Sequence, residues 1–300
     1  MKKLIVSVFA IAAMVSCTKI TDEMDEDGLV EIKMKAGVDA IVSRAAVDGL
    51  KADITDVAFA RTDVSVSGSA DWTSPSKVEV TKIAASSGEI SFASSQYYPT
   101  DGSTVYLAGF MPATGATLGE DQVNWTGMDG TQDVMYAAAV SGTKATTTPL
   151  APEFKHKLTQ VKFKIVGEAG FETGISVKSI TLKGVALPAS MALSSGEVTY
   201  AADADLSISV ATSVAVPVSP AAAADFGEAR MIKPGSATLT VDVVAEKGGA
   251  EISYSGVNIA LTNTGAGVAH TITLTFSKKE VSGKATVDGW TNEDNSGTVQ

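Results

Sequence analysis

Cysteine and histidine, the side chains most often used for nucleophilic and metal-binding chemistry, are rare in this chain. Its 300 residues include one cysteine, Cys17, and two histidines, His156 and His270. The thiolate is the strongest nucleophile among these groups, so Cys17 is the first candidate for covalent chemistry. A lone cysteine excludes an internal disulfide. Two histidines are too few to predict a metal cluster, and we predict no metal site.

The sequence around Cys17 predicts export followed by lipid attachment. Two lysines precede an apolar run from Leu4 to Val15. This run is shorter than the roughly 20 residues that a membrane-spanning helix needs, and it is typical of a signal peptide. Met14-Val15-Ser16-Cys17 resembles the bacterial lipobox, in which cleavage before the cysteine leaves a sulfur that accepts diacylglycerol. We therefore predict a lipoprotein signal peptide over residues 1–16 and lipidation of Cys17.

A dense group of carboxylates follows the cysteine, between Asp22 and Asp27. Like charges at this density cannot be buried, so they predict a solvated acidic linker over residues 17–28. The spacing from Glu23 to Gly28 also resembles the start of a calcium loop, which requires a glutamate at its twelfth position. That position is Met34. We therefore reject a calcium site.

The charge balance restricts the partners of the protein. The chain has 34 acidic and 23 basic residues, and its formal net charge is −11. A negative chain of this kind is repelled by nucleic acid and by anionic lipid surfaces. We therefore predict that it binds no nucleic acid.

Apolar and polar residues alternate with period two along most of the chain. The clearest runs are Val30–Val38 and Val161–Ile165. This period is typical of strands with one buried face, and no amphipathic helix of three turns is evident. Short strands between turn signals predict an all-β protein with two antiparallel β-sandwich domains in tandem. The polar stretch 141–152 contains two prolines and predicts a boundary, with domains at 29–152 and 153–300.

No sequence pattern predicts catalysis. The chain lacks the Gly-x-Ser-x-Gly elbow of hydrolases and a glycine-rich phosphate loop between a strand and a helix. We predict no catalytic residue, no enzyme activity and no cofactor. Aromatic residues in or beside loops are expected to close the ends of the sandwich cores, with stacking on a sugar as the alternative. These residues are Trp72, Trp125, Tyr97 and Tyr98.

Four features together resemble a known family. They are the acidic linker after the lipobox cysteine, an isolated amphipathic strand before Ser43-Arg44-Ala45, the central blocks "SSQYYPTDGSTVYLAGFMP" and "PLAPEFKHKLTQVKFKIVGE", and the C-terminal "HTITLTFSKKEVSGKATVDGW". The chain resembles the fimbrillin-type lipoproteins of Bacteroidales, which build or decorate type V pili. The resemblance implies transthyretin-like sandwiches, surface display on the outer membrane through lipid on Cys17, and other fimbrial subunits as partners.

The resemblance also implies assembly by strand exchange. In the family, an arginine-specific protease cuts after an arginine beyond the first strand, and a strand from another subunit fills the resulting groove. Arg44, followed by Ala45, matches this position. The exchanged strand would be the run whose one face carries Val30, Ile32, Met34, Ala36 and Val38. We expect this strand at a sheet edge; a place between two partners at the centre of a sheet would contradict the scheme.

Two questions stay open at this point. If Arg44 is an ordinary loop residue, the protein is an uncut surface lipoprotein that binds a glycan or a host protein. The donor strand would be the C-terminal segment after Phe276, through Val287 and Trp290, although this segment alternates only weakly.

Overall fold

The described part of the chain consists of strands joined by turns and loops. The computed structural model describes residues 28–38, 53–65, 68–218, 221–278 and 280–288. The prediction of an all-β fold is confirmed in these residues, where every regular element is a strand. None of them forms a helix of the length and apolar character that crossing a membrane requires. The strands are β1 (Gly37–Val38), β2 (Ala58–Val64), β3 (Ser76–Ile83), β4 (Ile90–Phe92), β5 (Thr104–Met111), β6 (Ala116–Gly119), β7 (Gln122–Trp125), β8 (Met135–Gly142), β9 (Glu153–His156), β10 (Thr159–Gly167), β11 (Ile175–Val185), β12 (Pro188–Ala192), β13 (Val198–Tyr200), β14 (Ala204–Ala215), β15 (Ala224–Ile232), β16 (Thr238–Lys247), β17 (Ala250–Ala260), β18 (Ala269–Phe276) and β19 (Val281–Asp288).

The C-terminal half is a sandwich of two four-stranded sheets. Their strand orders are β15-β10-β18-β19 and β14-β11-β16-β17. Strand β10 shows why the sequence forms this structure, because Val161, Phe163 and Ile165 are buried in the core while Lys162 and Lys164 point outward. Burying alternate side chains on one face of each sheet gives the shared core between the two sheets.

The N-terminal half is built on a seven-stranded sheet of order β1-β9-β8-β5-β2-β3-β4. The side chains on its two faces pack into different hydrophobic cores. Phe59, Leu107 and Phe154 belong to the core on one face, whereas Ala58 and Ala60 belong to the core on the other. The sheet is therefore covered on both faces, and small alanines on one face allow close packing of the layer above them.

A further sheet packs over the alanine face and takes strands from both halves. Its order is β13-β12-β7-β6, and β7 pairs antiparallel with β12 through Asn124 and Ser190 and through Val123 and Met191. Val123 and Met191 are both fully buried in the core beneath. The sheet thus joins strands from the two sides of residue 152, and the domain boundary at that residue stays a prediction.

Residues 28–38, here called the N-terminal segment, extend the seven-stranded sheet and touch its far end. Strand β1 pairs parallel with β9. The residues before β1 form isolated bridges to Glu89 and Tyr97 on one side and to Leu150 on the other. In the strand order β1 lies at the end of the sheet, as an edge strand does, but the residues before it also bond to the far end of the same sheet. The N-terminal segment therefore has hydrogen-bonded neighbours on both sides, and the expectation of a free edge is wrong. Period two in a sequence identifies the buried face of a strand, but it does not tell how many neighbours the strand has.

Candidate functional site

The N-terminal segment lies between two walls of the N-terminal half. Residues 88–98, here called the antiparallel wall, run along one side, and residues 150–154, the parallel wall, run along the other. The two walls form a slot that the N-terminal segment occupies. A strand that leaves this position uncovers two neighbours rather than the single neighbour of a free edge strand.

Backbone hydrogen bonds alternate between the two walls along the N-terminal segment. Even-numbered residues bond to the antiparallel wall: Ile32 N to Gln96 O (2.7 Å), Ala36 N to Gly88 O (2.7 Å), Tyr98 N to Val30 O (2.9 Å) and Ile90 N to Met34 O (3.1 Å). Odd-numbered residues bond to the parallel wall: Lys35 N to Leu150 O (2.8 Å), Gly37 N to Pro152 O (2.9 Å) and Leu150 N to Lys33 O (2.9 Å). Backbone groups on both sides of the N-terminal segment are thus hydrogen-bonded, as expected of a buried strand.

Three side chains of the N-terminal segment enter the core below it. Ile32, Met34 and Ala36 are 2%, 3% and 8% exposed, and all three belong to the core that contains Phe59 and Phe154. Val30 is half-buried and packs against the same core, and the backbone of Val38 pairs with Phe154. The predicted buried face is therefore present at the described positions, whereas exchange of this strand stays a prediction.

Gly88 allows the N-terminal segment to approach the antiparallel wall closely. Its φ is +71°, in the left-handed region that favours glycine. A Cβ atom at this position would lie 2.3 Å from the backbone oxygen of Ala36. The role of Gly88 was missed in the sequence, where the Ser86-Ser87-Gly88 run has only the composition of a turn.

The two other contacts that shape the antiparallel wall come from Tyr98 and Arg61. Tyr98 is 3% exposed; burial raises the pKa of its hydroxyl, and a hydrogen bond with Thr146 acts in the opposite direction. Arg61 bonds to the side chain of Gln96 and to the backbone of Tyr97. In the sequence Arg61 follows the apolar run Val57-Ala58-Phe59-Ala60, and no sequence signal pointed to this contact.

His156 is paired with a largely buried carboxylate. The Nδ1 atom of His156 lies 2.6 Å from Oδ2 of Asp133, and both side chains are largely buried. Within the described ranges, no three His, Cys, Asp or Glu residues are grouped so that they could hold a metal ion. The His156–Asp133 pair links the end of β9 to the loop before β8.

His270 is expected to make the protein less stable in acid. The ring is 1% exposed, and burial lowers its pKa, which the Asn263 backbone and the Asp288 carboxylate offset only in part. The unfolded chain binds the proton near the ordinary pKa of about 6.5, so the free energy of unfolding falls as pH drops below that value. We expect His270→Leu to flatten this fall between pH 7 and pH 5, by at most about 1.4 kcal/mol per pH unit. Urea unfolding of the unmodified protein and of His270→Leu at pH 7 and pH 5 measures the change in the free energy of unfolding. The same change in both proteins would contradict the prediction.

The aromatic residues singled out in the sequence are largely buried. Trp72, Trp125 and Tyr98 are 7%, 7% and 3% exposed, and the indole nitrogen of Trp125 donates to Pro112 O at 2.9 Å. Tyr97 is half-buried. Packing in the core, which the sequence favoured over stacking on a sugar, is confirmed for the three buried residues.

The C-terminal donor candidate forms part of the sandwich of its own chain. Strand β19 pairs antiparallel with β18 over its whole length, from Val281 opposite Phe276 to Asp288 opposite Ala269. Val287 is 38% exposed. Trp290 lies outside the described residues, as do Cys17, the acidic run that ends at Asp27, and the Arg44–Ala45 site.

A family model matches most of the chain. Residues 43–290 match the model described as fimbrillin-like. No curated protein sequence matches the chain.

The fold is similar to those of proposed cell adhesion proteins whose structures have been solved. The protein from Bacteroides uniformis ATCC 8492 has 16% sequence identity and a TM-score of 0.57, covering 89% of this chain and 100% of that one. The protein from Bacteroides ovatus ATCC 8483 has 16% identity and a TM-score of 0.58, covering 89% and 99%. At this level of identity the similarity establishes the fold alone.

Proposed function

Because the chain belongs to the fimbrillin-like family, we propose that it is a structural or adhesive subunit of fimbriae attached to the outer membrane. It is exported as a lipoprotein with lipid on Cys17, and it joins other fimbrial subunits by exchange of the N-terminal segment. The observation that supports the exchange is the slot, in which one short segment is bonded on both sides and buries three side chains. The proposal includes no catalytic step and no cofactor.

The N-terminal segment lies between two walls but not at the centre of a sheet, because β1 is the last strand of the seven-stranded order and its second neighbour lies beside β4 at the other end. A slot of this kind offers a donated strand more backbone partners than a sheet edge does. An edge presents one row of unpaired backbone groups, whereas an emptied slot presents two. Here the two rows belong to the antiparallel and the parallel wall, and the pits that Ile32, Met34 and Ala36 fill lie between them. A donated strand would restore the backbone bonds on both sides and refill the pits, which is β-augmentation with two partner strands.

The free energies of burial, hydrogen bonding and association favour an N-terminal segment that stays in the slot while it is covalently attached. After cleavage it becomes exchangeable. Burial of Ile32 and Met34 contributes about 3–6 kcal/mol in total, and each backbone bond to the walls adds about 0.5–1.5 kcal/mol. Once the chain is cut, the segment must also offset an association cost of about 4–15 kcal/mol. The free energy gained from burial and backbone bonds is then of similar size to the cost of association. A longer or better-fitting strand from another subunit is therefore able to displace it.

The surroundings of the other two arginines support Arg44 as the processing site. Arg61 lies inside β2, which is paired with β3 on one side and β5 on the other. Arg230 lies inside β15, and its side chain is 12% exposed. A protease needs an accessible segment without ladder bonds. Of the three arginines in the sequence, this leaves Arg44 as the candidate.

Arginine-specific proteolysis of the full chain tests the exchange. We expect one cut, after Arg44, with Ala45 as the new N-terminal residue, followed by SDS-resistant ladders on gels. The matched variant Arg44→Ala is expected to stay uncut and monomeric under the same conditions. First cleavage after Arg61 or Arg230, or a cut protein that stays monomeric, would contradict the proposal.

Mass spectrometry of the protein from its native cell surface tests the lipid anchor. We expect diacylglycerol on Cys17 in the uncut precursor and loss of the protein from the membrane fraction in Cys17→Ser. An acylated Cys17 on an uncut, monomeric protein would instead favour the surface lipoprotein that binds a glycan or a host protein. The burial of Trp72, Trp125 and Tyr98 removes three of the four aromatic residues on which sugar stacking would have relied.

A further inference from the structure

Part of the antiparallel wall has no regular structure of its own. Strand β4 ends at Phe92, residues 93 and 94 form a bend, and residues 95–98 make only a single isolated bridge, from Tyr97 to Glu31. The amide of Ala93 still bonds to Glu79 O of β3. Beyond it, the backbone bonds of Gln96 and Tyr98 go to the N-terminal segment itself. If the N-terminal segment left, this part of the wall would lose those bonds, and an irregular segment without ladder bonds opens easily.

Arg61 holds this part of the wall from the side of the sheet. Its Nη1 donates to Oε1 of Gln96 at 3.0 Å, and its Nη2 donates to the backbone oxygen of Tyr97 at 2.9 Å. Asp63 fixes the guanidinium through two further bonds, from Nε to Oδ1 and from Nη2 to Oδ2, each 2.9 Å. The Arg61 side chain is 15% exposed. Bidentate pairing with a carboxylate fixes the orientation of an arginine, so the remaining N–H groups of Arg61 are aimed at Gln96 and Tyr97.

We infer that Arg61 is a positioning residue of the slot: it fixes residues 96 and 97 independently of the strand that fills the slot. The hydrogen bonds of its guanidinium go to Asp63, Gln96 and Tyr97 and not to the N-terminal segment. The carbonyl of Gln96 that accepts from Ile32 therefore keeps its place when the occupant changes. The use of this wall in exchange rests on the proposed function, whereas the attachment of the wall to β2 does not.

A lysine at position 61 would keep the positive charge but lose the hydrogen bonds that attach the antiparallel wall to β2. A lysine has one compact ammonium group, which cannot pair with both oxygens of Asp63 and also reach Gln96 and Tyr97. Arg61→Lys is therefore the variant that tests geometry with charge held constant. Arg230→Lys is the matched control, because Arg230 is also mostly buried but bonds to the backbone of Glu228 and Ala229 within its own strand.

Hydrogen exchange of the uncut full chain tests the inference residue by residue. In Arg61→Lys we expect the amides of Ile32 and Tyr98, which bond across the antiparallel wall, to exchange roughly tenfold faster or more. The amides of Lys35 and Gly37, which bond to the parallel wall, are expected to keep their exchange rates in Arg61→Lys. In the control variant Arg230→Lys, all four of these amides are expected to keep their rates. A residue of merely structural importance would accelerate both walls alike.

Two results would overturn the inference: unchanged exchange at Ile32 and Tyr98, or equal acceleration at Lys35 and Gly37. The rates of Ile272 and Leu274 in the C-terminal core report whether the variant is folded. Because the uncut chain is used, these results do not depend on cleavage at Arg44. If the chain never exchanged strands, the proposed function would be refuted. The role of Arg61 in holding residues 96 and 97 would still be measurable by hydrogen exchange.

Discussion

Replacing Gly88 with alanine is expected to lower the free energy of unfolding by about 2–5 kcal/mol and to loosen the N-terminal segment at Ala36. An alanine at φ +71° costs about 1–2 kcal/mol in the left-handed region. Its Cβ would lie 2.3 Å from the Ala36 backbone oxygen, and relieving such an overlap costs about 1–3 kcal/mol more. Urea unfolding measures the first effect, and hydrogen exchange of the Ala36 amide measures the second.

Gly102 supplies the matched control for this prediction. Its φ is +85°, and no atom lies within 4 Å of a Cβ built there. Gly102→Ala therefore carries the conformational strain without the contact, and we expect a loss of only about 1–2 kcal/mol. The Ala36 amide is expected to exchange at its original rate in Gly102→Ala. Equal losses in the two variants would show that the close approach at Gly88 has no energetic weight.

Truncation of Phe59 to alanine is expected to destabilise the protein by about 3–5 kcal/mol. The ring is fully buried at the centre of the core beneath the slot. It packs edge-on against Phe92 and Phe154, with ring centroids 6.2 and 5.9 Å away. The cavity would lie directly under the N-terminal segment, which buries its side chains in the same core. Urea unfolding followed by far-UV circular dichroism measures the loss.

Phe92→Ala is the control for the effect of the cavity. Phe92 is half-buried and packs against the rim of the same core, so its removal takes away one ring contact without opening the centre. We expect a loss of about 1–2 kcal/mol. If Phe92→Ala were as damaging as Phe59→Ala, the core under the slot would not be organised around Phe59.

The strand content of this protein could be predicted from local patterns. Val161, Phe163 and Ile165 alternate with two lysines, and the structure buries the first three and turns the lysines outward. The same pattern marked Ile32 and Met34 as inward-facing, and they are. Alternation follows from the geometry of a single strand, so it survives without knowledge of the neighbours.

What the sequence could not provide was the set of neighbours. The N-terminal segment bonds to residues near Gln96 and near Leu150, and nothing in its own sequence specifies either partner. A free edge strand and a strand between two walls have the same alternation, which is why the prediction of a free edge was wrong. Arg61 escaped notice for a related reason: its partners Gln96 and Tyr97 are 35 and 36 positions away along the chain.

The pairing of β7 with β12 has a consequence for the order in which the protein folds during synthesis. Asn124 finds its partner at Ser190, so the sheet that covers the alanine face stays incomplete until the ribosome has released the later strand. Trp125 and Val123 remain uncovered for that interval, and exposed apolar surface on a nascent chain invites aggregation. Under the export proposed above, the chain gains from crossing the inner membrane before it folds.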